Sequence, residues 1–508
     1  MNKKIQIILF LILLSVQYGF ASDADNNRLR DEVSLGLFDC FALALDNNID
    51  ISVIRHDPVI SDWQIFAQKA IFDPSFGFNL MYADAKTPAP SITRLSTGLT
   101  SIQNESLSVG SSVSGLLPTG TLYSLSYSDN KSEGTTTFFA PEYDSRFGIR
   151  LEQPLLRNFG FDANIAQINI AIINKKISCE NLRQTVIEIL DQVQSSYWDL
   201  VFAIRDLEVK KESLELAKTL LRDNKKRVEV GILPPIEITQ SEAGVASREE
   251  AVILAQQAVS DRQNDLKVLL YMEPSDVMRI VVKPTDIPEL KEIELSVDKS
   301  LEKARQYRPK YRKAKMAVDS EKINMKYQFN QRFPEVNFVG EYKLEGVENN
   351  FSNALDSMAA DDTREWLLGV EVTIPLGNRL RRSNYQISKL EMKKRELELR
   401  KIELDLVREV DNAVANIRTD HKRVKATVAA RILAEEALKA ETRRLETGTS
   451  TSHDVLQFQE ELSRARVKEI QAIIDLRKSY FELYRVEGTV LEELDIEIDE
   501  FKYASSRR

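Results

Sequence analysis

Histidine and cysteine are scarce in the 508 residues, three and two, and the spacing of the residues that could do covalent chemistry assembles no centre. His56, His421 and His453 are scattered, with no second histidine at the spacing that puts two imidazoles on one helix face for zinc. There is no Gly-rich phosphate loop and no G-x-S-x-G elbow. A transport process run by this chain would therefore draw its energy from a partner. The ionisable residues with a repeated setting are different ones. In "RVEVGILPPIEITQSEAGVASREE", Arg227 to Glu250, an arginine precedes Gly231 by four residues and Glu237 follows it; in "RLETGTSTSHDVLQFQEELSRARV", Arg444 to Val467, Arg444 precedes Gly448 by four and Asp454 follows it. Cations before a helix end and carboxylates after a helix start complement the helix dipole, so the available chemistry is electrostatic.

The elements that position these residues are long. From Asn164 to Glu229 there is no proline or glycine, and Leu182, Val186, Ile189, Val193, Tyr197 and Leu200 recur at threes and fours. At 1.5 Å per residue this helix would be about 99 Å long. A second pattern from Asn384 to Thr447, about 96 Å long, has Leu397, Leu404, Val407, Val410, Val414 and Ile417 on its seam. That spacing is the seam of a coiled coil or a long bundle. His421 falls on it and reads as a packed polar residue, while His453 reads as a solvated turn residue beside Asp454 that would be placed to sense pH. Each helix stops at its glycine and restarts after a short turn, at about Ile236 to Leu270 and Asp454 to Val486. The two quoted stretches are thus predicted to be the turns of two antiparallel helical hairpins, at the same end of the molecule.

Before each long helix lies a strand. In "REWLLGVEVTIPLGNRLRRSN", Trp366, Leu368, Val370, Val372 and Ile374 alternate with Leu367, Gly369, Glu371 and Thr373, and in "SRFGIRLEQPLLRNFGFDAN", Phe147, Ile149 and Leu151 alternate with Gly148, Arg150 and Glu152. Both end in Pro-Leu, at Pro154 and Pro375, where proline stops the ladder. Upstream, "FDPSFGFNLMY" and "RFPEVNFVGEY" alternate in the same way, each after a helical pattern, Leu35 to Phe72 and Leu295 to Phe329. The run from Ser106 to Asn130 holds two further alternations about a Pro-Thr-Gly turn, read either as extra strands or as extensions of the first pair. Lys343 to Arg364, with Asp361 and Asp362, reads as a solvated loop, and "DVMRIVVKPTDIP" as a short bridging strand. The order helix, strand, loop, strand, long helix, turn, helix occurs twice. The expected division is 1–21 export signal, 22–275 first repeat, 276–294 linker, 295–490 second repeat and 491–508 an acidic then basic tail.

The export signal is read from two lysines, an apolar run from Ile5 to Val16 and small residues at Gly19 and Ala21. The rest has no 18-residue apolar run, so no membrane-spanning helix is expected. A net charge of -9 argues against nucleic acid as a partner. Cys40 and Cys179 would form at most one disulfide, or are packed small residues. About four strands per chain are too few for a membrane barrel, which starts at eight, and an open edge is not viable in lipid. If the strands lie in a membrane, several chains must share one barrel.

On the doubled architecture, "RFPEV" at Arg332 to Val336, the joints "QPLLRNFGFDAN" and "IPLGNRLRRSN", and the turns "VEVGILPPIEITQSE" and "ETGTSTSHDVLQFQE", the chain resembles the TolC-like outer membrane factor family from Leu35 to Leu494. The resemblance implies a mainly α fold with a membrane β-barrel, two internal structural repeats, and a homotrimer. Each chain would add four strands to a twelve-stranded barrel and long antiparallel hairpins to a periplasmic tunnel. It implies an outer-membrane exit duct in contact with outer-membrane lipid, a periplasmic adaptor and an inner-membrane transporter; the residues themselves offer no cofactor or metal site. Tripartite efflux of small molecules is the first reading, one-step (type I) protein secretion the second; a periplasmic coiled-coil adaptor or scaffold would leave the strands unexplained. By resemblance the turns form the periplasmic tip, with Arg227, Gly231, Arg444, Gly448 and His453 as candidate adaptor contacts. Asp454, with Gln457 where some relatives have a second acid, and Glu237 are the candidate constriction residues. A ring of three carboxylates in a narrow pore favours cations. The competing reading of Asp454 is a helix cap.

Overall fold

The computed structural model describes residues 31–135, 141–270, 279–286, 295–360 and 363–496. The export signal at 1–21, Asp361 and Asp362, most of the linker and the tail beyond residue 496 lie outside them. The chain forms two compact units, one of Met1–Asn48, Gln192–Glu289 and Thr427–Ile474, the other of Ile49–Asp191, Leu290–Ala426 and Asp475–Arg508.

The first repeat runs β1 (Asp31–Leu35), α1 (Leu37–Asn47), α2 (Ile49–Ile54), α3 (His56–Lys69), β2 (Ser75–Pro88), α4 (Ser91–Thr97), β3 (Ser101–Leu116), β4 (Leu122–Gly134), β5 (Glu142–Pro154), α5 (Phe161–Asn164), α6 (Ala166–Glu229) and α7 (Ile236–Leu269). Then follow β6 (Ile280–Pro284), α8 (Val297–Tyr307), α9 (Pro309–Gln331), β7 (Glu335–Glu348), α10 (Phe351–Ala359), β8 (Arg364–Thr373), α11 (Arg379–Glu446), α12 (Ser452–Glu487) and α13 (Val490–Glu493). The four hairpin helices fall close to the expected ranges, although α11 starts at Arg379, since nothing between Asn378 and Asn384 breaks a helix. The expected helix from Leu35 to Phe72 is broken. Asn48 leaves the helical region at ψ 126 and donates its side-chain amide to Leu269 O at 3.2 Å. The pattern from Leu295 to Phe329 also breaks, at Arg308, because Pro309 forces its predecessor to an extended conformation (ψ 119).

One antiparallel sheet in the second unit has the order β2-β3-β4-β5-β7-β8. It has six strands, against the four that the resemblance implies: of the two readings open for the run from Ser106 to Asn130, extra strands holds, and the hairpin β3–β4 is registered against β2 over Ser101–Ser114 and against β5 over Leu122–Ser132. Its turn is closed by Leu117 N–H to Thr121 O and Gly120 N–H to Leu117 O, both 2.8 Å. Gly120 has φ +93, and a Cβ there would lie 2.3 Å from Asn158 O, so only glycine fits. The register sorts side chains by face. Phe76 aligns with Val113, Val113 with Leu125, Leu125 with Ile149, Ile149 with Tyr342 and Tyr342 with Trp366, so one face is apolar across every strand. This face is bare at the edges, with Phe76 71% and Trp366 68% exposed. The opposite face carries Ser112, Ser126, Gly148, Lys343 and Glu365, and ion pairs such as Arg146–Glu345 and Arg150–Glu341.

Where strand becomes helix, asparagines hold the bend. Asn158 (φ +62) and Asn378 (φ +40) take left-handed conformations shortly after the two Pro-Leu steps. Asn158 N–H donates to Asn330 Oδ1 at 2.8 Å, Asn378 donates to Arg332 O at 2.8 Å, and Arg157 is paired with Glu335. In the first unit, β6 supplies the expected bridging strand and pairs in parallel with β1. Buried Tyr197 donates its hydroxyl to Asp286 just past β6, at 2.9 Å, and Asp286 accepts Leu37 N–H at 2.6 Å. Cys40 and Cys179 form no disulfide; Cys40 is fully buried, which pushes its thiol up to about 12, with Asp39 and Asp286 adding to the shift.

Candidate functional site at the hairpin turns

Both turns are built by the same backbone device. Ile232 N–H donates to Arg227 O at 2.8 Å and Gly231 N–H to Val228 O at 2.9 Å; Thr449 N–H donates to Arg444 O at 2.8 Å and Gly448 N–H to Leu445 O at 3.2 Å. With φ of +76 and +75 at the two glycines, each is a Schellman motif. The helix ends are therefore closed by the chain itself, and the arginines are free for other work. Arg227 donates to Leu445 O at 3.3 Å, so the first hairpin caps the end of α11 in the second. Arg444 pairs with Glu441 at 2.9 Å and reaches Thr449 O at 3.4 Å; its ion pair is made there and not with Asp454.

Asp454 stands at the third position of α12, where its carboxylate accepts Thr451 Oγ1 at 2.8 Å and Thr451 N–H at 3.3 Å, while Asp454 N–H donates back to Thr451 Oγ1 at 3.3 Å. That reciprocal pattern is a capping box. The hydroxyl and amide of Thr451 hold the carboxyl below its ordinary range, with smaller help from Ser450 and His453. Gln457 is bonded to Glu461 at 3.2 Å, and Glu237 accepts Ser241 Oγ at its carbonyl, 2.8 Å. His453 and Gln457 share a cleft of about 680 Å³ with Ser213, Gly244, Arg248 and Glu460, a cleft that Asp454 and Glu237 do not line. No group of three or more His, Cys, Asp or Glu side chains among the described residues is placed to hold a metal.

The residues that tie the two hairpins together were invisible to sequence reasoning. Asn224, 1% exposed, donates to Ser241 Oγ at 2.7 Å and Ser452 Oγ at 2.8 Å, joining α6, α7 and α12. Its counterpart 217 residues on, Glu441, is also buried and bonds Ser450 as well as Arg444. Arg248, 8% exposed, donates to Ser213 Oγ, Gly244 O and Leu456 O at 3.0–3.1 Å. Burial lowers its pKa, and nearby Glu460 opposes that shift. Ala217, Leu220, Leu445, Val455 and Leu456 form an apolar cluster beside them, with Val245 and Leu438 against it. The turns thus sit on a core shared by both repeats, and charged groups surround it.

Comparison with known proteins fits this plan. No curated protein matches the chain by sequence. Solved structures with a similar fold include the CmeC outer membrane channel of Campylobacter jejuni, at 17% identity and TM-score 0.63 over 89% of this chain and 86% of that one. A membrane protein from Pseudomonas aeruginosa matches at 18% and 0.65 over 93% and 96%, and the open state of the MtrE outer membrane channel of Neisseria gonorrhoeae at 15% and 0.60 over 93% and 94%. The family model described as outer membrane efflux protein matches residues 41–270 and 300–489, taking in both turns, both joints and all six strands of the sheet. The chain belongs to the outer membrane efflux protein family.

Proposed function

We propose that this outer-membrane protein is the passive exit duct of a tripartite efflux pump, exporting small molecules. Three copies share one barrel and one helical periplasmic tunnel; a periplasmic adaptor and an inner-membrane transporter bring cargo and energy. The observation that carries the reading is the sheet, which has one apolar face, one polar face and two unpaired edges, β2 and β8. An open sheet leaves backbone donors and acceptors unsatisfied in hydrocarbon, so the edges must close on other copies, the apolar face turning to lipid and the polar face to water. Each repeat, 22–275 and 295–490, acts as one module and delivers one hairpin turn to the tip. There Asp454 of three chains, with Glu237 and Gln457 behind it, would form the constriction, and Arg227, Gly231, Arg444, Gly448 and His453 would face the adaptor.

The test is assembly and capture. Purified protein should scatter light as a trimer in mild detergent and conduct ions in a bilayer. Photocrosslinkers belong at Val230 (70% exposed) and Glu446 and not at the glycines, whose left-handed backbone disfavours any side chain. They should capture an envelope adaptor in cells. A conducting monomer would overturn the shared duct, and an adaptor that serves a polypeptide exporter would move the cargo to protein secretion.

A further inference from the structure

We infer that β2 and β8 are interaction edges for neighbouring copies of the chain and that the closed barrel has eighteen strands, six from each of three chains, with the β3–β4 hairpin as wall. The inference rests on the three-chain duct proposed above.

The hairpin behaves as wall along both strands. On the apolar face β3 presents Leu107, Val109 and Val113, with Ser111 between the two valines, and β4 presents Tyr123, Leu125 and Tyr127; side chains on the other face include Ser106, Ser108, Ser112, Ser114, Ser124, Ser126 and Ser128. Alternation of apolar and hydroxyl residues in phase with the neighbouring strands is the pattern of a wall between lipid and water. A surface hairpin would have no use for it. Charges enter the apolar face of these strands only toward one end, at Glu105, Asp129, Lys131 and Glu133. A barrel with four strands per chain would require β2 to pair with β5, but β2 is registered against β3 from Ser75 to Pro88 and β5 against β4 from Glu142 to Glu152.

The register also closes. Crossing the sheet at right angles to the strands leads from Phe76 on β2 to Trp366 on β8. Residue 76 lies at the start of β2, next to the helices, whereas the residue of β8 next to the helices is Val372, six positions beyond Trp366. Bringing the helix-side ends level in a ring pairs Phe76 of one copy with Val372 of the next, and with them Phe78 with Val370, Leu80 with Leu368 and Tyr82 with Trp366. Four exposed apolar residues meet four, antiparallel, and the aromatic pair falls at one height. The shift of six residues per six strands gives a shear equal to the strand number. That ratio corresponds to a tilt of about 36°, the value for eight strands with a shear of eight, and lies within the range of membrane barrels. Barrel diameter grows roughly linearly with strand number, so this barrel is about 1.5 times as wide as one of twelve strands.

Two measurements on the detergent-purified full-length protein test this. The first is pulsed electron paramagnetic resonance on Ser126→Cys carrying a nitroxide, with Cys40 and Cys179 replaced by alanine. With strands about 4.8 Å apart and tilted about 36°, Cα atoms at this site would be about 30 Å apart between chains for eighteen strands and about 20 Å for twelve. The second is oxidation of Phe78→Cys/Val370→Cys, which should give covalent trimers on a denaturing gel while neither single variant does. A trimer by light scattering with the short distance overturns the strand count alone. A trimer without the crosslink overturns the proposed seam. A monomer overturns both the count and the three-chain duct.

Discussion

Replacing Asn224 by alanine tests whether the buried bridge between the hairpins holds the turns in place. Asn224→Ala removes the hydrogen bonds to Ser241 at 2.7 Å and Ser452 at 2.8 Å. Ser241 keeps its bond to Glu237 O, but Ser452, fully buried, loses its bond from α6. A net hydrogen bond contributes about 0.5–1.5 kcal/mol, and an abandoned buried hydroxyl costs about 1–3 kcal/mol. Asn224 Oδ1 has no hydrogen-bond partner among the described residues, and its removal offsets part of the loss. The expected net effect is about 1–2 kcal/mol, which is about 5- to 30-fold in a local opening equilibrium. Hydrogen exchange read by mass spectrometry on peptides covering Ser450 to Gln459 should quicken by that factor, while peptides from the sheet should not change. In the double-mutant cycle, Ser452→Ala should be nearly silent in the Asn224→Ala background and costly alone. Unchanged exchange in this segment, or additive effects in the cycle, would refute the bridge as the element that fixes the tip.

Asp454→Asn should reduce cation selectivity in single-channel recordings and also weaken the cap of α12. Because hydrogen bonds hold the folded carboxyl below its ordinary value, its contribution is present above the unfolded pKa and is lost only as pH falls through the depressed folded pKa. Protection of the tip amides, relative to the chemical exchange rate at each pH, should therefore stay flat from neutral pH to mild acid in the parent protein. Arg444→Ala strips buried Glu441 of its cation and should raise resting conductance, whereas Arg444→Lys should restore most of the closure. Gly448→Ala meets no atom within 4 Å, so only its φ of +75 opposes the change; we expect a cost of about 1–2 kcal/mol, read as faster exchange at the end of α11.

The helical hairpins were legible because some sixty residues without proline or glycine leave few alternatives and because each ends on a glycine that the backbone places in a left-handed conformation. The strands next to Pro154 and Pro375 were legible from clean alternation. β3 and β4 were seen only as alternations that left the strand number open, since serine on one face gives a weak strand signal and the deciding fact is their register with β2 and β5. The pair β1–β6 joins five-residue strands far apart in the chain, a contact no local pattern encodes. At the turns, Thr451-Ser452-His453-Asp454 spells a capping box in the sequence. Asn224, Ser241 and Arg248 look like ordinary solvated helix residues until packing buries them.

The β1–β6 pair bears on how the chain can be made. Asp31 aligns with Ile280, and Tyr197 and Leu37 both depend on Asp286. In a chain delivered N-terminus first, β1 emerges well before β6 and waits for its partner. During that wait its edge is open to wrong pairings. A chain cut after the first hairpin would lack β6 and Asp286 altogether. The two repeats share one plan, yet the β1–β6 ladder and the bonds to Asp286 are completed only by residues that follow the first hairpin.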